Sequence, residues 1–331
     1  MRRLLNVVLL FCFILLITVS CTKKGGTGDG TANNNEPETQ DGITADQVIV
    51  NGRIVFTPEE QAYIDQIKRE GQLVIATRVR ETVYEPAGSF GRTEAGGIEY
   101  KVAKALADYL EVSLKVELVD SFSQYFAKDG VTPDSAMQAK LESGELAPYT
   151  PDVLRNARII VDGISYKPWR EKLFKLIHTT PDKDLIVVRS GITVSSLSDL
   201  ANYKIAVVPQ TAYAATLRNI EEQLGVRFNY VNVADTAALA KTVSEGRADV
   251  TALGGITSLM EIKNYSNLNI SIPLSQTEAS WSNWAVRKDD LLMASILEKF
   301  FIYAKNQGIY DKEWMEAFGI TFMQFINLLQ I

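Results

Sequence analysis

The sequence predicts an α/β fold with largely parallel sheet, on a chain long enough for two domains. Two observations carry this. From residue 184 onward, short apolar runs alternate with amphipathic stretches: "DLIVVRSG", "YKIAVVP", "TAYAATLRNIEEQLG", "RFNYVNV", "DTAALAKTVSEG" and "ADVTALG". That alternation is the pattern of strand–helix units. Second, about 280 residues remain once a leader and a polar tether are set aside, enough for two domains of ordinary size. No repeat of a solenoid period interrupts the pattern.

The leader comes first. Met1-Arg2-Arg3 is a basic start, and the apolar run "LLNVVLLFCFILLITVS" leads to Cys21. A charged start, an apolar stretch and small residues before a cut site form a secretory signal, here residues 1–20. The alternative is an uncleaved anchor helix, since the run is close to the shortest that spans a bilayer. "TVSC" resembles a bacterial lipobox, with Thr18 where that pattern prefers leucine. The resemblance implies a lipoprotein whose mature N-terminus is Cys21, carrying acyl chains such as palmitate. Each buried methylene of such chains contributes ~0.8 kcal/mol to anchoring. Both readings tether the chain to a membrane and place its bulk outside the cytoplasm, in the periplasm or at the cell surface. Cleavage would remove Cys12 and lipidation would consume Cys21, the chain's 2 cysteines. Disulfides, thiol nucleophiles and cysteine metal sites are then excluded.

Residues 21–55, opening "TKKGGTGDGTANNNEPETQDG", lack apolar periodicity and read as a flexible tether. The formal charge is −6 with no basic cluster, which argues against a nucleic-acid partner. In "FTPEEQAYIDQIKREG", Thr57 caps a helix, Pro58 takes its first position, Glu60 completes a capping box and Gly71 ends it. "QLVIATR" is a strand. Ile98, Val102, Ala105, Leu106 and Tyr109 share one face of the helix that follows. "SLKVELVD" alternates as a half-buried strand. Residues 121–156 are irregular around a helix at 135–141, and "ARIIVDGIS" is a buried strand running into a loop. After "SWSNWAVR" a long amphipathic helix is expected. A last helix would align Phe322, Phe325, Ile326 and Leu329, facing either the globule or a partner.

The order of these segments resembles the bacterial family 3 extracellular solute-binding proteins. "GQLVIATR", "GGIEYKVAKALADYLEV", "VDGISYKPWREKLFKLIHTTP", "SLSDLANYKIAVVPQTAYAATL", "VSEGRADVTALGG" and "WAVRKDDLLMASILEKFF" follow the family's wording in sequence from residue 70 to residue 320. The ordered set is specific, whereas no single motif is. The closing portion, through "EWMEAFG", also resembles the N-terminal solute-binding-like module of the membrane-bound lytic murein transglycosylase F family. In those enzymes a catalytic domain follows "FG". Here twelve residues follow Gly319, too few for a domain. The resemblance thus implies a module without its catalytic half.

The family implies a periplasmic-binding-protein-like type II fold. Two α/β lobes enclose a ligand cleft and are joined by two crossing strands, expected near 184–189 and 281–286. Lobe 1 would comprise residues 56–185 and 286–331, and lobe 2 residues 186–285. Ligands of open α/β sheets bind beyond the carboxyl ends of the strands. The loops after "VIAT", "RIIVDG", "AVVP" and "VTALG" would therefore face the cleft.

Arg170 falls on the family arginine that grips a ligand carboxylate. A planar guanidinium gives two parallel bonds to such a group, and a surface ion pair is the alternative. Ser165 falls on a ligand-touching serine. Thr211 falls on a threonine at a helix N-terminus, where an anion or a plain cap both fit. Gln210 stands where the family has glycine. Tyr84, Phe90 and Trp169 are candidates for stacking on the ligand, or for core packing. Gly254 stands where amino-acid binders carry the aspartate that holds the ligand's ammonium group, and Glu99 or Glu278 would have to replace it. Asp249 fits a structural role at the start of its strand. The one histidine, His178, fits a loop or core role, and histidine triads and clustered zinc ligands lack parts. The expectation is therefore a monomeric, non-enzymatic binding protein without cofactor or metal. It would capture a small carboxylate-bearing ligand, amino-acid-like or peptide-like, and present it to an ABC permease. The alternative is a sensory or regulatory module for peptides or cell-wall fragments.

Overall fold

The computed structural model describes residues 44–274 and 279–330. Within them lie a small hairpin and two five-stranded sheets. The signal segment, the lipidation candidate Cys21, most of the tether and Glu278 lie outside the described residues. No helix among the described residues is long and apolar enough to cross a membrane.

The end of the expected tether is folded. Ala45–Val48 is a short helix, and β1 (Ile49–Val50) pairs with β2 (Arg53–Ile54). Val48 and Ile54 are buried in the same core as Trp314 and Phe300. Composition alone misplaced this boundary, because two apolar anchors in a polar stretch suffice to dock it. The next helix, Pro58–Glu70, begins and ends by its sequence signals. Thr57 accepts from the Glu60 amide, Glu60 accepts from the Thr57 amide, and Gly71 closes it at φ 72°.

The remaining strands are β3 (Gln72–Thr77), β4 (Ser113–Leu118), β5 (Ile159–Ser165), β6 (Phe174–Asp182), β7 (Asp184–Arg189), β8 (Lys204–Val207), β9 (Asn229–Asn232), β10 (Val250–Gly254), β11 (Leu268–Pro273) and β12 (Ser280–Arg287). The first sheet runs β4-β3-β5-β12-β6 and the second β11-β7-β10-β8-β9. Each is parallel except for one strand, β12 in the first and β7 in the second, which is antiparallel to both its neighbours. The two reversed strands follow the passages between sheets. β6 and β7 are separated by Lys183 alone, so the chain leaves one sheet and enters the other within a residue.

The sheet boundaries differ slightly from the expected lobe limits. β7 begins at Asp184, and Trp281–Ala285 lie in β12 of the first sheet, paired with β6. Residues 121–156 do hold the helix Ser135–Ser143, flanked by two short 3-10 turns. The last helix, Phe322–Leu329, buries Phe322, Phe325, Ile326 and Leu329, so its apolar face is internal. It stacks Phe325 on Trp314 at 4.5 Å and also packs on β11 of the second sheet. Its core includes Leu185 of β7 and Leu259 of the helix Gly255–Asn264 that follows β10. The C-terminal helix thus belongs to both halves of the fold.

Candidate functional site

Among the mutually parallel strands of each sheet, the first and third in chain order lie side by side, with the second outside the first: β3 and β5 with β4 outside, and β8 and β10 with β9 outside. Their neighbouring carboxyl ends mark a switch point. In the first sheet these ends are Thr77 of β3 and Ser165 of β5, and three arginines gather there. Arg78 donates its Nε–H to Asp162 at 2.6 Å, and Arg80 lies 4.0 Å from the same carboxylate. Asp162 is fully buried. It also accepts from the Tyr125 hydroxyl and its neighbouring Gly163 amide, so its oxygens are well occupied. Burial, and then the Asp162 charge, keeps the Tyr125 phenol protonated far above its ordinary range.

Arg170 is differently placed. Its Nη1 donates to the Ser165 carbonyl at 2.8 Å and to Ser165 Oγ at 2.7 Å. Its guanidinium carbon lies 5.1, 4.9 and 5.2 Å from the ring centroids of Phe122, Phe126 and Trp169. Arg78 sits 5.0 Å from the same Phe122 ring, so that ring carries two cations. No carboxylate pairs with Arg170 among the described residues, and its buried Nε–H has no acceptor. Burial alone lowers its pKa, with no anion nearby to oppose the effect. Three guanidiniums gather here around the Asp162 carboxylate, and cation–π contacts do not neutralise their charge.

The aromatic expectations need correction. Trp169 is 6% exposed and packs edge-on against Phe126, so it is a core residue whose ring also supports Arg170. Phe90 is exposed and lines a separate groove with Met260 and Phe318, while Tyr84 packs on Tyr100 at 5.0 Å. The rings around Arg170 are instead Phe122, Phe126 and Trp169. Phe122 and Phe126 lie in the stretch that reads as irregular, and no periodicity there marks which aromatics face inward.

The corresponding ends in the second sheet are those of β8 and β10. Thr211 caps the helix Ala212–Leu224, accepting from the Ala214 amide and donating to the Val208 carbonyl. Its capping role is therefore realised. Gln210 keeps a left-handed φ of 65°, the conformation that suits the glycine found in the family.

Gly254 lies beside a carboxylate from the end of β6. A Cβ there would make ordinary contact, 3.4 Å from Asp182 Oδ2 and 3.7 Å from the Tyr213 hydroxyl oxygen. A Cβ on Gly255 would lie 2.9 Å from Asp182 Oδ1, which accepts the Gly255 amide at 2.8 Å. The tight position is therefore Gly255, and Gly254 adjoins the same carboxylate. Burial, and also Asp184, pushes Asp182 up to about 6. Neither Asp182 nor Asp184 has a lysine or arginine partner among the described residues. Asp182 pairs with Ser280 and Ser165 with Ser282, so β12 carries the two ends of the site on its two edges. Glu99, the other candidate acid, accepts from the Trp284 indole N–H. Burial raises it to about 7, and it sits on the arginine side of the site.

The fold and this site define the class. Two α/β sheets of matching strand order, joined by crossing segments and carrying polar clusters at their carboxyl ends, form the type II periplasmic-binding fold. The chain is similar to the L-cystine solute receptor of Neisseria gonorrhoeae in its unliganded open conformation. The TM-score is 0.59 at 17% identity, over 78% of this chain and 98% of that one. It is also similar to an ancestral cyclohexadienyl dehydratase, with TM-score 0.53 at 18% identity over 82% and 100% of the two chains. At such identities the likeness is one of fold, and the fold carries both receptors and enzymes.

Among curated sequences the chain is similar to the membrane-bound lytic murein transglycosylase F of Ectopseudomonas mendocina, 27% identical over 237 residues. The match covers 70% of this chain and 43% of that relative, so the chain spans less than half of the relative's length. No family model matches the chain.

Proposed function

We propose that the chain is an extracytoplasmic solute-binding protein whose ligand carries both a carboxylate and an amine, as an amino acid or short peptide does. Cys21 is the lipid anchor in this reading, and an ABC importer receives the ligand. One observation carries it: Arg170 is oriented by Ser165 and three rings yet has no acidic partner among the described residues. A ligand carboxylate would supply that partner through charge-assisted bonds worth roughly 1.5–3 kcal/mol each. The amine end would meet Asp182, whose carboxylate lies beside Gly254. A micromolar ligand needs about −8.2 kcal/mol, within reach of such a charge pair plus cleft closure.

The second reading is a sensory or regulatory module that binds wall peptides without transport. The similarity to the transglycosylase favours it. A thermal-shift screen with free amino acids, short peptides and murein fragments separates the two. Stabilisation by a free amino acid supports the receptor, and stabilisation by wall peptides alone supports the module. Arg170→Ala should abolish the shift from the best ligand. Unchanged binding in that variant would remove Arg170 from the site.

A further inference from the structure

We propose that a cavity on the first sheet, beside β6, is a second binding site for a small organic anion bearing an N–H or O–H donor. The cavity measures about 560 Å³, a size that holds small ligands. Its walls come from the loop after β5 with Glu171, from β6, and from Ala279, Ser280, Trp281 and Asn283 with Lys288. Among the described residues, neither the second sheet nor Arg170 lines it. It is distinct from the cleft and shares one residue with it, Ser165.

The floor holds an unmet acceptor. Asn283 is 1% exposed, and its Nδ2 donates to the Ile164 carbonyl at 2.7 Å and the Trp281 carbonyl at 2.9 Å. Those two bonds fix which end of the amide is oxygen. Oδ1 is left buried with no donor, an arrangement that folded proteins seldom tolerate without a partner. A ligand N–H or O–H would complete it.

The charge on the walls selects the rest of the ligand. Lys167 and Lys288 line the cavity and pair with no carboxylate among the described residues, while Lys175 lies 3.9 Å from Glu298. Among the described residues the one acid in the lining is Glu171, which accepts from the Tyr166 hydroxyl. The excess is positive. Trp281, stacked on His178 at 4.7 Å and 7°, and Phe174 supply an apolar wall. A planar carboxylate with a hydroxyl or amide at its other end matches all three features.

His178 is the chain's one histidine, so its imidazole C–H signals report on this cavity without assignment of the rest. The experiment is a one-dimensional NMR titration of the full chain, free of tag histidines, with 4-hydroxybenzoate. A saturable shift of the His178 signals is expected. Benzoate lacks the donor and 4-hydroxybenzyl alcohol lacks the charge, so each should bind about tenfold more weakly. The double variant Lys167→Ala/Lys288→Ala should weaken 4-hydroxybenzoate by at least about tenfold as well. Arg170→Ala should leave the titration unchanged while removing the cleft ligand, which separates this site from the one above. No saturable shift up to on the order of 10 mM overturns the proposal. Equal affinity for the uncharged alcohol, or loss of the titration in Arg170→Ala, overturns it too.

Discussion

Asp182 is the residue on which the ligand's chemistry turns. Its carboxylate accepts the first amides of the helix Gly255–Asn264 and lies beside Gly254. Burial and Asp184 raise it to about 6, so without ligand it becomes protonated as the pH falls through that value. A cationic ligand group binds the ionised form alone. Affinity for such a ligand should be flat above pH 7 and fall by about tenfold per pH unit below 6, the slope for one linked proton. Calorimetric titration across pH 5–8 measures this. In Asp182→Asn the same ligand should bind weakly at every pH with no such slope. A wild-type profile without the slope would place the amine elsewhere. Gln210 shows a different economy at this scale. It holds a left-handed backbone without being glycine, a strain of roughly 1–2 kcal/mol that the surrounding turn must offset.

At the scale of elements, the helix Phe322–Leu329 has the most to test. Its sequence announces an amphipathic helix: Thr321 and Gln324 form the capping box, and four apolar residues share a face. What the face meets is decided by Gly255. A Cβ there would lie 3.0 Å from the Phe325 ring, so the missing side chain admits the helix against the second half of the fold. Phe325→Ala leaves a cavity beside Trp314 and should cost about 3–5 kcal/mol in urea unfolding. Gly255→Ala presses on Phe325 and on Asp182 together and should cost about 1–3 kcal/mol. A neutral Gly255→Ala would mean that the helix shifts freely.

The same contact governs the molecule as a whole. Leu185 and Leu259 of the second half share a core with Trp314, Phe325 and Leu329, and Lys263 donates to the Ala317 carbonyl at 3.0 Å. The two halves are therefore coupled by apolar burial as well as by their crossing segments. Intact chain should unfold in a single calorimetric transition. Removal of residues 320–331 should weaken the coupling and split that transition into two, because each sheet retains a core of its own. A single transition in the shortened chain would show that the crossing segments suffice.

The sequence by itself determined many of the elements and their order, though not β6, β11, the helix Gly255–Asn264 or the hairpin at the end of the tether. Local signals set them: the capping box at Thr57, the glycine stop at Gly71, and the alternation of strand and helix after residue 184. It also singled out Ser165 and Arg170, five positions apart at the end of one strand, and these do bond each other. Tertiary structure alone decided the rest. Arg78 meets Asp162 across 84 residues, Asp182 meets Gly255 across 73, and Phe122 reaches Arg170 from an irregular stretch. Such pairs leave no periodic trace, because their partners are set by how strand ends converge and not by spacing along the chain. Phe90 was misread for the same reason: an aromatic in a loop carries no local mark of the groove it will line. Gly254 reads as a missing acid in one dimension, and in three it lies beside Asp182, a carboxylate brought from the end of another strand.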